Sequence, residues 1–204
     1  MLKRLQKQTL LLAQRARRHY DAAVFDSYAF HNLSHTERVV NQVERFVDVY
    51  QIDAVDACYL TAAAWLHDVG YDKGAAGHEE RSRQLAMLWC DEIDYPADGR
   101  AIIGDIILST QLPQMPSSLL QCCICDADLE HLYQGDYFTV VEYLKEEWAA
   151  SDVADQKKDD YLNRQIEFLS QHTFKTDYAQ YHYQRLKDEI LSALAHQSKQ
   201  HANE

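Results

Sequence analysis

Along this chain apolar residues recur at intervals of three and four, and nowhere do they alternate with the period of two that a half-buried strand requires. Val39, Val40, Val43, Phe46, Val47 and Tyr50 show the pattern plainly. Only 6 glycines and 3 prolines interrupt 204 residues, so long helices with short connections are expected and the fold class reads as all-α. That length supports one good-sized core. With no internal repeat and no low-complexity linker, residues 1–204 read as a single domain.

Helices are predicted over residues 2–20, from His35 to Tyr50, from Ala54 to His67, from His78 to Ile93 and from Pro96 to Leu108. After the break Leu112-Pro113-Gln114-Met115-Pro116 come helices over Ser117–Leu132, 136–150, 156–172 and 175–197. Ser34-His35-Thr36-Glu37 has the form of a capping box. Asp53 is placed to cap the third helix, and Pro96 suits the first turn of the fifth. Between the third and fourth helices, a loop from Val69 to Gly77 gathers Gly70, Gly74 and Gly77.

A net charge of −12 argues against a nucleic-acid polymer as partner, because a phosphate backbone needs a broad basic face. A small phosphorylated substrate stays open, since a metal ion and a few arginines can meet its charge. No apolar run is long enough to span a bilayer. The basic start MLKRLQKQTLLLAQRARRHY has an apolar centre of only Leu10-Leu11-Leu12-Ala13, and reads as the first amphipathic helix rather than a membrane segment. The five cysteines, Cys58, Cys90, Cys122, Cys123 and Cys125, are odd in number and three of them cluster, which points to a reducing cytoplasm. Cys122 and Cys125 form a CxxC without a second pair, and read as core.

The segment Tyr59 to Leu66 is the most buried-looking in the chain, and it ends on His67-Asp68. Upstream, HNLSHTERVV (31–40) supplies His35; downstream, QCCICDADLEHL (121–132) supplies Asp126 and Asp128. Two imidazoles with two or three carboxylates suit Mn, Fe, Co, Ni or Zn better than Mg or Ca, which prefer oxygen alone. Neighbouring helix positions differ by about 100° in direction, so His67 and Asp68 can reach one ion most easily at a helix end. Asp126 and Asp128 would face nearly opposite ways on a helix, so only one should bind that ion directly. His31, ahead of the capping box, reads as a loop residue facing the pocket, within reach of phosphate. Arg38, Lys73 and Arg81 are the nearest cations for the same purpose.

FHNLSHTERVV, AAAWLHDVGYD, GHEERS and CDADLEHL together resemble the successive motifs of the HD-domain superfamily of metal-dependent phosphohydrolases, whose signature is H…HD…D on an all-α fold. The resemblance is to members with a YHN-type first motif; it covers residues 28–132 well and the C-terminal third more loosely, through IEFLSQHTF. It implies a helical-bundle HD core over 28–132, with C-terminal helices over 136–197 packing on it. The implied metal ligands are His35, His67, Asp68 and one of the two later aspartates. Asp128 is favoured because it follows an alanine, as the final aspartate of many members does. Asp68 would both hold the ion and orient the attacking water. The resemblance also puts His78, as proton donor to the leaving oxygen, and Glu79, as a water-orienting group, at the site. Phe30 stands in place of a tyrosine and Tyr133 in place of a glycine, which leaves the pocket shape open.

The function so implied is hydrolysis of a small phosphoester or nucleotide by metal-activated water. One alternative is an HD-type diiron oxygenase, although no second histidine lies between His78 and Asp126. Another is a non-catalytic all-α module that binds metal or nucleotide. The aromatic-rich C-terminal helices could form a homodimer face. His131, His172 and His182 read as packing or surface residues, and the pairs Glu146-Glu147 and Asp159-Asp160 as parts of a solvated face.

Overall fold

The computed structural model describes residues 1–133, 135–150 and 161–201. Among these residues the chain is helical and holds no strand, as an all-α bundle requires. The helices are α1 (Leu2–Tyr20), α2 (Leu33–Tyr50), α3 (Ala54–Leu66), α4 (His78–Glu92), α5 (Ala97–Leu108), α6 (Leu119–Asp128), α7 (Tyr137–Ala150), α8 (Tyr161–Gln171) and α9 (Asp177–His201). Short 3-10 turns occupy Ala23–Ser27, Val69–Lys73 and Glu130–Leu132. The chain divides into two compact units, Met1–Asp128 and Leu129–Glu204.

In the first unit α3 is the central element, packed by α1, α2 and α5. Its Leu60, Ala62, Ala63, Ala64 and Leu66 have no exposed surface. A helix apolar on all sides is stable only where neighbours cover it, and its alanines let those neighbours come close. Leu12 and Ala16 of α1, Val39, Val43 and Phe46 of α2, and Ile103 and Ile107 of α5 fill the surrounding core. α6 lies against α2, α3 and α5.

The helix ends show where local chemistry decides. Asp53 caps α3 as expected, its carboxylate accepting from the N–H groups of Val55 and Asp56. For α2 the cap is Asn32, not Ser34: Asn32 Oδ1 accepts from Ser34 N at 2.9 Å and from His35 N at 3.3 Å. An extended Asn32 satisfies the first free N–H groups one step before the capping box could, so the helix starts at Leu33. Pro96 holds the cap position of α5, one residue outside the helix. The helix expected to run to Leu132 stops at Asp128 and tightens into the turn Glu130–Leu132. Positions 156–160 of the expected eighth helix, with Asp159 and Asp160, lie outside the described residues.

The second unit packs α8 against α9, with the turn Glu130–Leu132 against α7 and α9. Tyr137 donates its O–H to Gln165 Oε1 at 3.0 Å, and Tyr161 donates to the Val141 carbonyl at 2.8 Å. Tyr133 is buried and stacks on Tyr183, with centroids 3.8 Å apart. One expectation is overturned here. Glu146 is exposed, but Glu147 is buried. It follows Val140 and Leu144 by seven and three residues, so the helical period carries it onto the covered stripe of α7. Cys58, Cys90, Cys123 and Cys125 are buried thiols; of the CxxC pair read as core, Cys125 is buried and Cys122 half-buried.

Candidate metal centre

His67 is the residue at which α3 ends, and it is fully buried. Its Nδ1 lies 2.8 Å from the Ala64 carbonyl oxygen, which can only accept, so Nδ1 carries the proton. With Nδ1 so committed, the ring turns Nε2 the other way. There Nε2 faces Asp68 Oδ2 at 3.3 Å, Asp128 Oδ1 at 3.4 Å and His35 Nε2 at 3.4 Å. His35, in the first turn of α2, is buried, and its Nε2 lies 3.1 Å from Asp128 Oδ1 and 3.5 Å from Asp68 Oδ2. Asp128 closes the group from the last residue of α6.

The sequence thus brings four ligand atoms, one each from His35, His67, Asp68 and Asp128, within 4.8 Å of one another. Asp126 is also fully buried on α6 but is not in this group, as two residues on a helix turn side chains about 200° apart. The group fits a divalent ion on two grounds. The Nε2 atoms of His35 and His67 lie 3.4 Å apart and face the same two carboxylates, so both can turn to one ion. Asp68 Oδ2, in addition, is buried and has no hydrogen-bond partner among the described residues. A two-nitrogen, two-oxygen donor set belongs to the transition-metal range rather than to Mg or Ca.

The electrostatics follow from crowding opposite charges in a buried place. Burial pulls His35 below the usual imidazole range, with Asp128 and Asp68 opposing. Burial also works against protonating His67, yet the carboxylates of Asp68 and Asp128 push it well above that range. Burial would raise Asp68, but His67 and His78 hold it well below the usual carboxylate range. Asp128 is likewise lowered, burial being outweighed by His35 and His67. Burial disfavours the His78 cation, but Asp68 and the Ala75 carbonyl push His78 up to about 9.

Of the other expected site residues, His78 opens α4 and sets its Nε2 3.3 Å from Asp68 Oδ1, while its Nδ1 donates to the Ala75 carbonyl at 2.8 Å. Glu79 lies beside it, a carboxylate oxygen 3.6 Å from His78 Nδ1. His31 stacks on Tyr71 at 3.8 Å, its ring 6.0 Å from that of His35 and 5.9 Å from that of His78. Arg38 follows His35 by one turn of α2 and is half-buried, whereas Lys73, at the end of the turn Val69–Lys73, is exposed. Arg81 turns its guanidinium back onto loop carbonyls.

Sequence reasoning missed several supports of this group. Tyr71 is buried under His31, with Tyr28 packed edge-on against it at 5.0 Å. His19 Nε2 meets the Val69 carbonyl at 2.9 Å, tying α1 to the residue after Asp68. Tyr20 is buried, and burial together with Asp68 pushes its hydroxyl well above the usual phenol range. The sequence signal for His19 and Tyr20 is the HY pair at the end of α1, which no spacing rule connects to residue 68, while Tyr71 lies in the motif AAAWLHDVGYD.

Among the described residues, no helix is long and apolar enough to cross a membrane. The family model HD-CE matches residues 25–201. No curated protein and no solved structure matches the chain.

Proposed function

This chain belongs to the HD-CE family, an HD-domain-related family, and from that premise we propose that it is a metal-dependent phosphohydrolase acting on a small phosphoester or nucleotide. The observation that carries the reading is the convergence of His35, His67, Asp68 and Asp128 from three separated stretches of sequence onto one buried point. These residues would hold a divalent transition ion. Such an ion, when bound, lowers the pKa of coordinated water and offsets charge on a phosphoryl oxygen.

The protein's own groups divide the remaining work. Asp68 splits its oxygens, Oδ2 towards the two ligand imidazoles and Oδ1 towards His78. It can therefore serve the centre and orient a proton donor together. His78, set 3.3 Å from Asp68 Oδ1 with its Nδ1 on the Ala75 carbonyl, is the group that supplies that proton to the leaving oxygen. Glu79 steadies its ring from the Nδ1 side. His31 and Arg38 are the groups proposed to meet substrate phosphate, with the exposed Lys73 as an outer contact. A net charge of −12 favours a small substrate over a polymer.

The test is elemental analysis of the purified chain beside Asp68→Ala, followed by phosphate release from a panel of nucleotides and simple esters with Mn, Co, Ni or Zn. One ion per chain, lost in the variant together with turnover, is expected. Phosphate release that persists in Asp68→Ala refutes the assignment. Two irons per chain would transfer the reading to oxygen chemistry.

A further inference from the structure

His78 reaches the centre from across a loop. Nine residues, Val69 to Gly77, separate it from Asp68, yet its Nε2 lies 3.3 Å from Asp68 Oδ1. His35, His67 and Asp128 stand at ends of helices whose bodies are fixed in the core of the first unit. His78 likewise opens a packed helix, α4, but it is the first residue of that helix and follows Gly77, whose φ of 68° is one that glycine adopts without strain, so its approach to Asp68 also depends on the loop. Something has to set the loop.

The residue placed to do so is Arg81, one turn into α4. Its Nε donates to the Gly70 carbonyl at 2.8 Å, and its two terminal nitrogens donate to the carbonyls of Ala76 and Gly74. The same joint is closed from the other side by the Gly70 N–H, which donates to the buried Ser82 Oγ at 2.9 Å. It leaves no room for a side chain. A Cβ on Gly70 would stand 2.5 Å from Ser82 N, 2.7 Å from Arg81 Cβ and 2.7 Å from the His78 carbonyl oxygen. The backbone two residues past Asp68 is therefore joined directly to the first turn of α4. Each guanidinium nitrogen of Arg81 already donates to this loop, so the side chain is committed to it rather than aimed at a ligand. Lysine cannot replace it, since one ammonium on a flexible stem does not reproduce a planar fork reaching three carbonyls.

Resting on the hydrolase reading, we propose that Arg81 is a positioning residue: it fixes the loop Val69–Gly77 so that His78 stays at hydrogen-bonding distance from Asp68, and it does not contact substrate phosphate. The experiment compares full-length Arg81→Ala and Arg81→Lys with the unaltered chain in two assays. In turnover of 4-nitrophenyl phosphate with Mn, kcat should fall about 10- to 100-fold in both variants, while KM stays within about twofold and bound metal per chain is unchanged. In hydrogen exchange of the metal-free protein, amides 69–77 should exchange at least about tenfold faster in both variants, with those of α3 unaltered. A rise in KM at constant kcat would make Arg81 a phosphate contact and overturn the proposal. Unchanged exchange in the loop would overturn it as well. If the unaltered chain releases phosphate from no ester, it is the hydrolase reading that fails; the exchange arm alone then decides whether Arg81 sets the loop.

Discussion

Acid should destabilise the second unit through one histidine. His172 follows α8 directly, is 8% exposed, and neither ring nitrogen has a hydrogen-bond partner among the described residues. Its neighbours are the rings of Phe168 and Phe174, 5.8 and 4.9 Å away, and Lys187, whose Nζ donates to the His172 carbonyl. Burial first, then the positive charges of Lys187 and Lys175, press its pKa down to about 4. The unfolded ring titrates near 6.5, so between those values the unfolded chain binds a proton that the folded chain refuses. Stability is then complete above about pH 6.5 and is lost as pH falls towards 4. At about 1.4 kcal/mol per unit, the ceiling is roughly 3 kcal/mol, of which about 2 kcal/mol is lost by pH 5. His172→Phe keeps an aromatic ring in an aromatic setting and removes the titration. Urea denaturation followed by circular dichroism at pH 7 and pH 5 should show the unaltered chain losing about 2 kcal/mol more than the variant. Carboxylates that titrate in both proteins cancel in that difference. Equal losses in the two proteins would refute the reasoning.

Two further expectations test the cap of α2 and the choice between the two later aspartates. Asn32→Ala should destabilise by about 1–2 kcal/mol because it removes the real cap of α2, whereas Ser34→Ala should stay within about 0.5 kcal/mol, as thermal unfolding of both would show. Asp128→Asn should weaken Mn or Co binding at least about tenfold by calorimetric titration of the metal-free chain, while Asp126→Asn should keep the unaltered stoichiometry.

Much of the fold was legible because its signals are local. A 3.6-residue period read along α2, a carboxylate ahead of α3 and a glycine-rich loop before α4 each need only a few neighbouring residues. The candidate ligand set was legible for a related reason: His35 stands at an expected helix start and His67-Asp68 at an expected helix end, whereas the helix end at Asp128 was not foreseen. Two local errors have local causes. Ser34 and Asn32 are both good caps, and only the extended backbone at Asn32 decides between them. Glu147 sits next to an exposed glutamate but belongs to the stripe of Val140 and Leu144. What could not be read was the support behind the centre. His19 and Tyr20 act through tertiary contacts that no period or motif encodes, Tyr71 lies in the motif AAAWLHDVGYD without its role being marked there, and the fork of Arg81 is specified by where three carbonyls point rather than by residue type.

The position of His67 at the end of an apolar helix has a further consequence. A helix leaves its last four carbonyls without partners inside it. In the body of α3 the Ala64 carbonyl would be taken by a backbone N–H; at the terminus it is free to accept from the Nδ1 of the imidazole three residues on. The same carbonyl thus satisfies a buried acceptor and fixes which nitrogen of His67 faces the centre, the task usually given to a second residue around a metal-bound histidine. His78 repeats the device outside any helix body, its Nδ1 on the Ala75 carbonyl three residues before it. Placing a histidine at a helix end thus supplies a ligand and its orienting acceptor from one stretch of four residues. The adjacent Asp68, already past the helix, is left free to divide its two oxygens between the ligand imidazoles and His78.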